Sequence, residues 1–341
     1  MTERTQKLRN DLLDTVPEIC PERARYFTAS MKKTEGKPVV LRRAEAFKEV
    51  LEKMSIYIRE DELIVGNQAR SPRSAPVFPE YSVEWIEEEF DGKPYYFDQR
   101  PNDEFNYDSE VEAELREIID YWRGNTVLKN LKDLIPKKAA QAWEMGAIDE
   151  GWVSEGGLGN ILPDYSLVLE NGLGGFIEKA ETELSKLDLR EPGAAKKKWF
   201  LESVIKSNQA VIDFANRFAE QLDELAEKEN DPKRKDELQE MALNCRRVPE
   251  NKPETFWEAV QSVWFVHLAI QIESNGHAIS LGRFDQYLYP FYKDDLENGR
   301  ITAEKAQEII ESFFIKANEV NKLRPWGGAK FFPGYHMAEN L

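Results

Sequence analysis

The reading of this chain turns on Pro253–Asp285, PETFWEAVQSVWFVHLAIQIESNGHAISLGRFD. Its first half holds the longest apolar-leaning run in the sequence, Phe256–Ile272, interrupted by Glu258, Gln261 and His267. A run that polar is unfit to span a bilayer and predicts a helix buried in a protein core over Thr255–Ile272. The second half, Gln271–Asp285, places a carboxylate, an amide, an imidazole, a hydroxyl and a guanidinium within fifteen residues. Polar groups that emerge from the end of an apolar helix must pair with one another or meet a ligand. Two readings follow: a satisfied core network with Arg283 and Asp285 as its ion pair, or a binding site. Composition by itself favours the network. His267, inside the run, reads as a packing histidine.

Outward from this stretch the chain is mostly helical. Arg42–Arg59 puts Ala44, Phe47, Leu51, Met54 and Ile58 on one face, and Glu304–Val320 does the same with Ala306, Ile309, Ile310, Phe313, Phe314 and Ala317. Further helical patterns cover Ser109–Tyr121, Phe176–Leu187, Arg234–Asn244 and the long amphipathic Lys196–Glu229. A helix around Tyr165–Asn171 stops at the glycines between Gly172 and Gly175. Asp61–Asn67 (DELIVGN) reads as extended, and Ala69–Phe105 as an irregular, proline-rich segment pinned by aromatics. The tail from Arg324 to Leu341 is aromatic and glycine-rich, with no helix or strand pattern. With no repeat and no linker, a single unit is expected.

The balance of 46 Lys+Arg against 63 Asp+Glu gives a net charge of −17, which argues against polyanion binding. The aromatic and aliphatic content excludes a disordered chain. The N-terminal MTERTQKLRNDLLDTV is not a signal peptide, and two cysteines, Cys20 and Cys245, fit a reducing compartment. A cytoplasmic protein with no membrane and no nucleic-acid partner is expected. Phosphate-loop, zinc-protease and nucleophile-elbow motifs are absent, and three histidines leave little for a metal. Beside Gln271–Asp285, one other segment draws notice by composition. Trp152–Pro163 (WVSEGGLGNILP) combines an aromatic, a hydroxyl, a carboxylate, an amide and glycines that permit close backbone approach to a ligand. A tight turn explains it equally well.

Seven stretches, in order along the chain, resemble the pyruvate formate-lyase-like branch of the glycyl radical enzymes. They are Ile19–Tyr26 (ICPERARY), Arg42–Phe47 (RRAEAF), Asp61–Asn67, Pro163–Leu169 (PDYSLVL), Pro253–Ala259 (PETFWEA), Gln271–Tyr289 (QIESNGHAISLGRFDQYLY) and Arg324–Gly328 (RPWGG). The branch includes B12-independent glycerol and diol dehydratases, choline trimethylamine-lyase and hydroxyproline dehydratase. The resemblance implies an α/β fold, predominantly helical here: the N-terminal part of a ten-stranded α/β barrel made of two five-stranded half-sheets wrapped by helices. It covers this whole chain but under half of a typical family member. Residues 1–341 are therefore expected to be the N-terminal portion of the family's domain.

The family's chemistry uses a thiyl radical in a Cys-x-Glu loop and a glycyl radical in an Arg-Val-x-Gly-Tyr-like motif, both expected beyond Leu341. Cys20-Pro21-Glu22 has the spacing but falls in the family's N-terminal helical region, and Pro333-Gly334-Tyr335 lacks the preceding Arg-Val. No residue of this chain is thus given a catalytic or metal-binding role, and the chain alone is expected to be inactive. What the resemblance implies for it is a pocket wall, with Asn160, His277, Glu273, Ser280 and Trp152 as substrate-binding candidates. Two positions depart from the family's glycerol dehydratase: Asn160 stands where it has a histidine, and Ala278 follows His277 where it has a serine. Losing an imidazole and a hydroxyl leaves glycerol's oxygens short of partners, which argues against glycerol. Glu273 would pair with a cationic or hydroxyl group, and Trp152 would stack on substrate. The resemblance also implies a radical S-adenosylmethionine activating enzyme and a homodimer. The alternatives are a carbon–carbon lyase or decarboxylase within the family, and a non-catalytic or split-gene helical protein that associates with a complementing chain.

Overall fold

The computed structural model describes residues 1–148, 156–157, 159, 161–276, 278–330 and 339–340. Helices α1 (Glu3–Leu13), α2 (Glu22–Lys33) and α3 (Val39–Lys53) open the chain. After an irregular stretch come α4 (Glu84–Phe90), α5 (Ser109–Trp122), α6 (Val127–Leu134) and α7 (Lys137–Glu144). Then follow α8 (Tyr165–Ser185), α9 (Ala194–Lys228), α10 (Pro232–Arg247), α11 (Phe256–Ser274), α12 (Phe284–Glu297), α13 (Ala303–Ala317) and the short α14 (Trp326–Ala329).

Two helices organise the rest. The 35 residues of α9 make a rod on the order of 50 Å long, against which α3, α8 and α10 pack. The α11 helix is the centre: its residues are buried nearly all round, and it touches α8, α9, α10, α12 and α13. Each polar interruption that the sequence shows in α11 has a structural use. Thr255 and Glu258 form a reciprocal capping box at its start. Gln261 lies flat against the backbone of Val65, donating to its carbonyl at 2.8 Å and accepting from its N–H at 3.0 Å. Trp257 and Trp264 donate their indole N–H groups to the carbonyls of Leu63 and Gly66. The buried backbone of residues 63–66 is thus satisfied by helix side chains instead of a sheet ladder. His267 is fully buried and bonds Tyr165 Oη through Nδ1 at 2.8 Å, a packing histidine as its sequence position suggests.

The strands are minimal. Among the described residues β1 (Ile19–Cys20) pairs in parallel with β2 (Ala75–Pro76), and β3 (Ile279–Ser280) pairs in parallel with β4 (Glu339–Asn340). The helix expected over Arg42–Arg59 ends at Lys53, because Met54 turns extended. Residues 57–62 instead form a buried polar link to α13: Tyr57 and Arg59 both bond Glu319, and Lys316 pairs with Glu62 and Glu319. Phe284–Glu297 is a helix although Pro290 lies inside it. Near its middle α8 carries Gly172 with a positive φ of 66°, so the break read at the glycines is a kink between two helical pieces. No helix among the described residues is long and apolar enough to cross a membrane.

Candidate substrate-binding site

A helix ends with carbonyls that have no partner in the helix itself. At the end of α11 two arginines supply the donors. Arg23 of α2 gives Nε to the Ile272 carbonyl at 2.7 Å and a terminal nitrogen to the Glu273 carbonyl at 3.2 Å. The same guanidinium makes a two-pronged pair with Glu80, at 3.1 and 2.7 Å. Its face lies 3.6 Å from the Phe78 ring centre and 4.6 Å from that of Phe27. Cationic charge here also opposes the negative end of the helix dipole. Arg43 of α3 holds the Glu273 side chain, with Nη2 and Nε at 2.6 and 3.1 Å from Oε1. Burial works against the charge of Arg43, but the Glu273 carboxylate and then Glu80 outweigh it and raise its pKa further. Tyr81 is buried beside this cluster. Burial, and next the Glu80 charge, push its phenol upward, so it stays a neutral hydroxyl.

The two segments singled out by composition meet at this helix end. Asn275 terminates α11 in the left-handed region, with φ +50°, and its Nδ2 donates to the Gly156 carbonyl at 2.9 Å. Gly157 has φ +97°, and a Cβ there would lie 2.2 Å from the Ser274 carbonyl and 3.1 Å from the Tyr81 ring. Only glycine lets the two backbones come this close. Farther along, the Ser280 N–H donates to the Ile161 carbonyl at 2.8 Å. Ala278 is a second left-handed residue in the turn between α11 and β3, at φ +55°. Non-glycine residues in that region cost about 1–2 kcal/mol each, and they cluster where function over-determines the backbone.

Of the candidate residues, Glu273 and Ser280 are described. Glu273 is half-exposed on the last turn of α11, and its Oε1 is already taken by Arg43. Ser280 lies on β3, and its Oγ accepts the Gly282 N–H at 3.0 Å. Trp152, Asn160 and His277 lie outside the described residues. The Arg283–Asp285 ion pair exists, at 3.1 Å, but its side chains are 69% and 70% exposed. It is a surface pair and not part of a core network, because both residues sit at the solvent-facing start of α12. The Ile272 and Glu273 carbonyls and the Glu273 carboxylate find partners instead on α2 and α3, Asn275 Nδ2 in the glycine segment, and Gln271 and Ser274 within α11 itself. Cys20 is buried in β1, where burial pushes its thiol up to about 11, and Cys245 is buried in α10. No group of three or more metal-ligating side chains converges among the described residues.

Sequence reasoning missed Arg23, Arg43, Glu80, Tyr81 and Asn275. Arg23 and Arg43 lie in ICPERARY and RRAEAF, stretches noticed only as likenesses. Nothing local marks either arginine as buried; only those likenesses set the two stretches apart.

A fixed helix terminus, two paired arginines and a glycine segment pressed against it thus make one polar cluster at the end of α11. Comparison with known proteins is specific. A family model described as pyruvate formate lyase-like matches residues 1–341. The chain belongs to the pyruvate formate lyase-like family. The probable dehydratase YbiW of Escherichia coli K12 is 36% identical over 343 residues, covering 100% of this chain and 42% of that protein. The glycerol-bound form of the B12-independent glycerol dehydratase from Clostridium butyricum superposes with a TM-score of 0.95 at 40% identity, covering 100% of this chain and 42% of that one. A glycyl radical enzyme from Archaeoglobus fulgidus gives a TM-score of 0.84 at 35% identity, covering 93% and 40%. The helical architecture is therefore that of glycyl radical enzymes. The chain spans about two-fifths of the length of the relatives it matches.

Proposed function

We propose that residues 1–341 are the N-terminal portion of a glycyl radical dehydratase or lyase and supply one wall of its substrate pocket. The observation that carries this reading is the meeting of the 156–162 and 271–282 segments at the end of α11, in a fold shared with the glycerol-bound dehydratase. In this reading the substrate is small and polar. Asn160, His277 and Ser280 contact its hydroxyls or leaving group, Trp152 packs on it, and Glu273 acts through its pair with Arg43. A thiyl radical and a stored glycyl radical belong to residues outside this chain, and a radical S-adenosylmethionine activating enzyme installs the latter. The radical removes a hydrogen atom from substrate carbon, and a neighbouring group then leaves with a proton. The active protein is a cytoplasmic homodimer in this reading. Asn160 and Ala278 weigh against glycerol as substrate.

Anaerobic reconstitution tests the proposal. The 341-residue chain is combined with a complementing polypeptide that carries the Cys-x-Glu loop and the radical glycine, and activating enzyme is added. The glycyl radical is followed by electron paramagnetic resonance, and turnover is measured on a panel of small diols, hydroxysulfonates and hydroxyamines. Turnover is expected only from the combined chains, and kcat/KM is expected to fall about tenfold on His277→Ala, the worth of one substrate hydrogen bond. Turnover by the activated chain alone, or a stable radical with no consumption of any panel member, refutes the reading.

A further inference from the structure

The side-chain amide of Asn275 is half used. Asn275 is 4% exposed, and its Nδ2 donates to the Gly156 carbonyl at 2.9 Å. That bond fixes which way round the amide sits, since the flipped amide would set oxygen against oxygen. The other half, Oδ1, is buried, and no donor among the described residues reaches it. Buried polar atoms are almost always paired, so an orphaned acceptor calls for a donor from outside the chain. The backbone gives the side chain no way to turn aside. Asn275 is held at φ +50° between the end of α11 and the turn to β3, and its neighbour Ser274 is pressed against Gly157.

We propose that Asn275 Oδ1 accepts a hydrogen bond from a hydroxyl group of the substrate, which makes Asn275 a specificity-determining residue beside those set out above. The assignment rests on the reading of this face as a substrate wall. The class of donor follows from the neighbouring charges. Both carboxylates at this helix end are paired, Glu273 with Arg43 and Glu80 with Arg23, each within 2.7 Å. An ammonium group would therefore meet a neutralised surface, whereas a neutral amide oxygen suits a neutral hydroxyl.

The test pairs a protein change with a ligand change. Propane-1,2-diol and propan-1-ol, which differ by one hydroxyl, are titrated by ligand-observed NMR into the 341-residue chain combined with the complementing polypeptide of the reconstitution, with wild type and Asn275→Gly. Glycine tolerates φ +50°, so the turn is kept. Near-UV circular dichroism and hydrogen exchange over residues 156–162 check that the fold and the apposition of the two segments survive. Wild type is expected to prefer the diol by about fivefold, the worth of one neutral hydrogen bond, and Asn275→Gly to lose that preference while binding propan-1-ol as before. Equal weakening of both alcohols would assign Asn275 a structural role and overturn the proposal. An undiminished diol preference in the variant would overturn it too, leaving the substrate-wall reading intact. Failure of wild type to bind either alcohol removes that reading and this assignment together.

Discussion

Arg23→Met is expected to be among the most damaging single substitutions in this chain, although the new side chain is apolar and of comparable length. Arg23 and Glu80 are 2% and 5% exposed. Removing the guanidinium leaves the Glu80 carboxylate buried without its partner, a situation that costs about 3–5 kcal/mol. The carbonyls of Ile272 and Glu273 lose the donors at 2.7 and 3.2 Å, and the stacking on Phe78 goes with them. A total near 5 kcal/mol is a large share of the ~5–15 kcal/mol that holds a typical domain together. The same physics says how to rescue it. Arg23→Met with Glu80→Leu removes both charges, and replacing a whole buried pair with apolar groups is often close to neutral. The double variant should therefore recover most of the loss, to within about 2 kcal/mol of wild type. Urea unfolding followed by near-UV circular dichroism and tryptophan fluorescence reads both values. Hydrogen exchange separates the local from the global effect. In the rescued double variant the end of α11 still lacks its donors, so residues 156–162 should stay less protected than in wild type. A single variant within 1 kcal/mol (~1) of wild type, or a double variant no better than the single, would refute the argument that Arg23 and Glu80 are a mutually dependent buried pair.

Four further outcomes are expected. Gly157→Ala puts a Cβ 2.2 Å from the Ser274 carbonyl at φ +97°; the backbone strain alone is about 1–2 kcal/mol, and faster exchange over residues 156–162 should accompany the lower urea midpoint. Gln261→Leu keeps the volume but strips both bonds from the buried backbone of Val65, and chemical denaturation should show a loss of about 2–4 kcal/mol. Glu237 is pushed up by burial but pulled down further by Arg4 and Lys305, from 4.5 to about 2. Its contribution is thus full above the unfolded value and is lost as pH falls toward 2, so wild type should lose about 1–2 kcal/mol more than Glu237→Gln between pH 5 and 2 once solvent screening is allowed for. Both cysteines are buried and their thiols are raised by burial, so a disulfide exchange reagent should titrate neither in the native chain and both after unfolding.

The helices were legible because amphipathic periodicity and buried runs are local signals. The stretch Phe256–Ile272 announces a core helix by composition, and the structure adds only two residues at its C-terminal end. No helix was expected over Phe284–Glu297, where Pro290 lies inside the helix and Leu288 is buried against the core. The extended look of residues 61–67 did not become a strand: the segment turns and bends, with Asp61 at φ +66° and Gly66 at φ +132°. Nothing local in DELIVGN says that its hydrogen bonds go to Gln261, Trp257 and Trp264, nearly two hundred residues on. The site shows the same division. Its two segments were visible as unusual compositions, whereas Arg23 and Arg43 were not, since an arginine on an amphipathic helix looks like any solvated charge until the fold buries it.

That burial bears on what the proposed substrate wall would select. A free Glu273 would favour a cation, and sequence alone offers that reading. With Arg43 on its Oε1 and Arg23 on Glu80, the end of α11 carries two cations and two anions in contact, a surface close to neutral that still bristles with donors and acceptors. A neutral hydroxylated substrate can dock there without breaking a pair. A cationic substrate would have to displace Arg43 from Glu273, and an anionic one would have to draw Arg43 away from it. Each exchange gives up a charge-assisted bond at 2.6 Å before gaining another, and such bonds are about twice as strong as neutral ones. The exposed edge of this pair, with both side chains more than a third uncovered, makes Arg43 the easier of the two arginines to recruit. Arg23, locked between Glu80, two carbonyls and two rings, is the fixed element. On the proposed substrate-wall reading, selectivity therefore rests on how firmly Arg43 is held, and neutral polar compounds are the class that would leave the whole arrangement undisturbed.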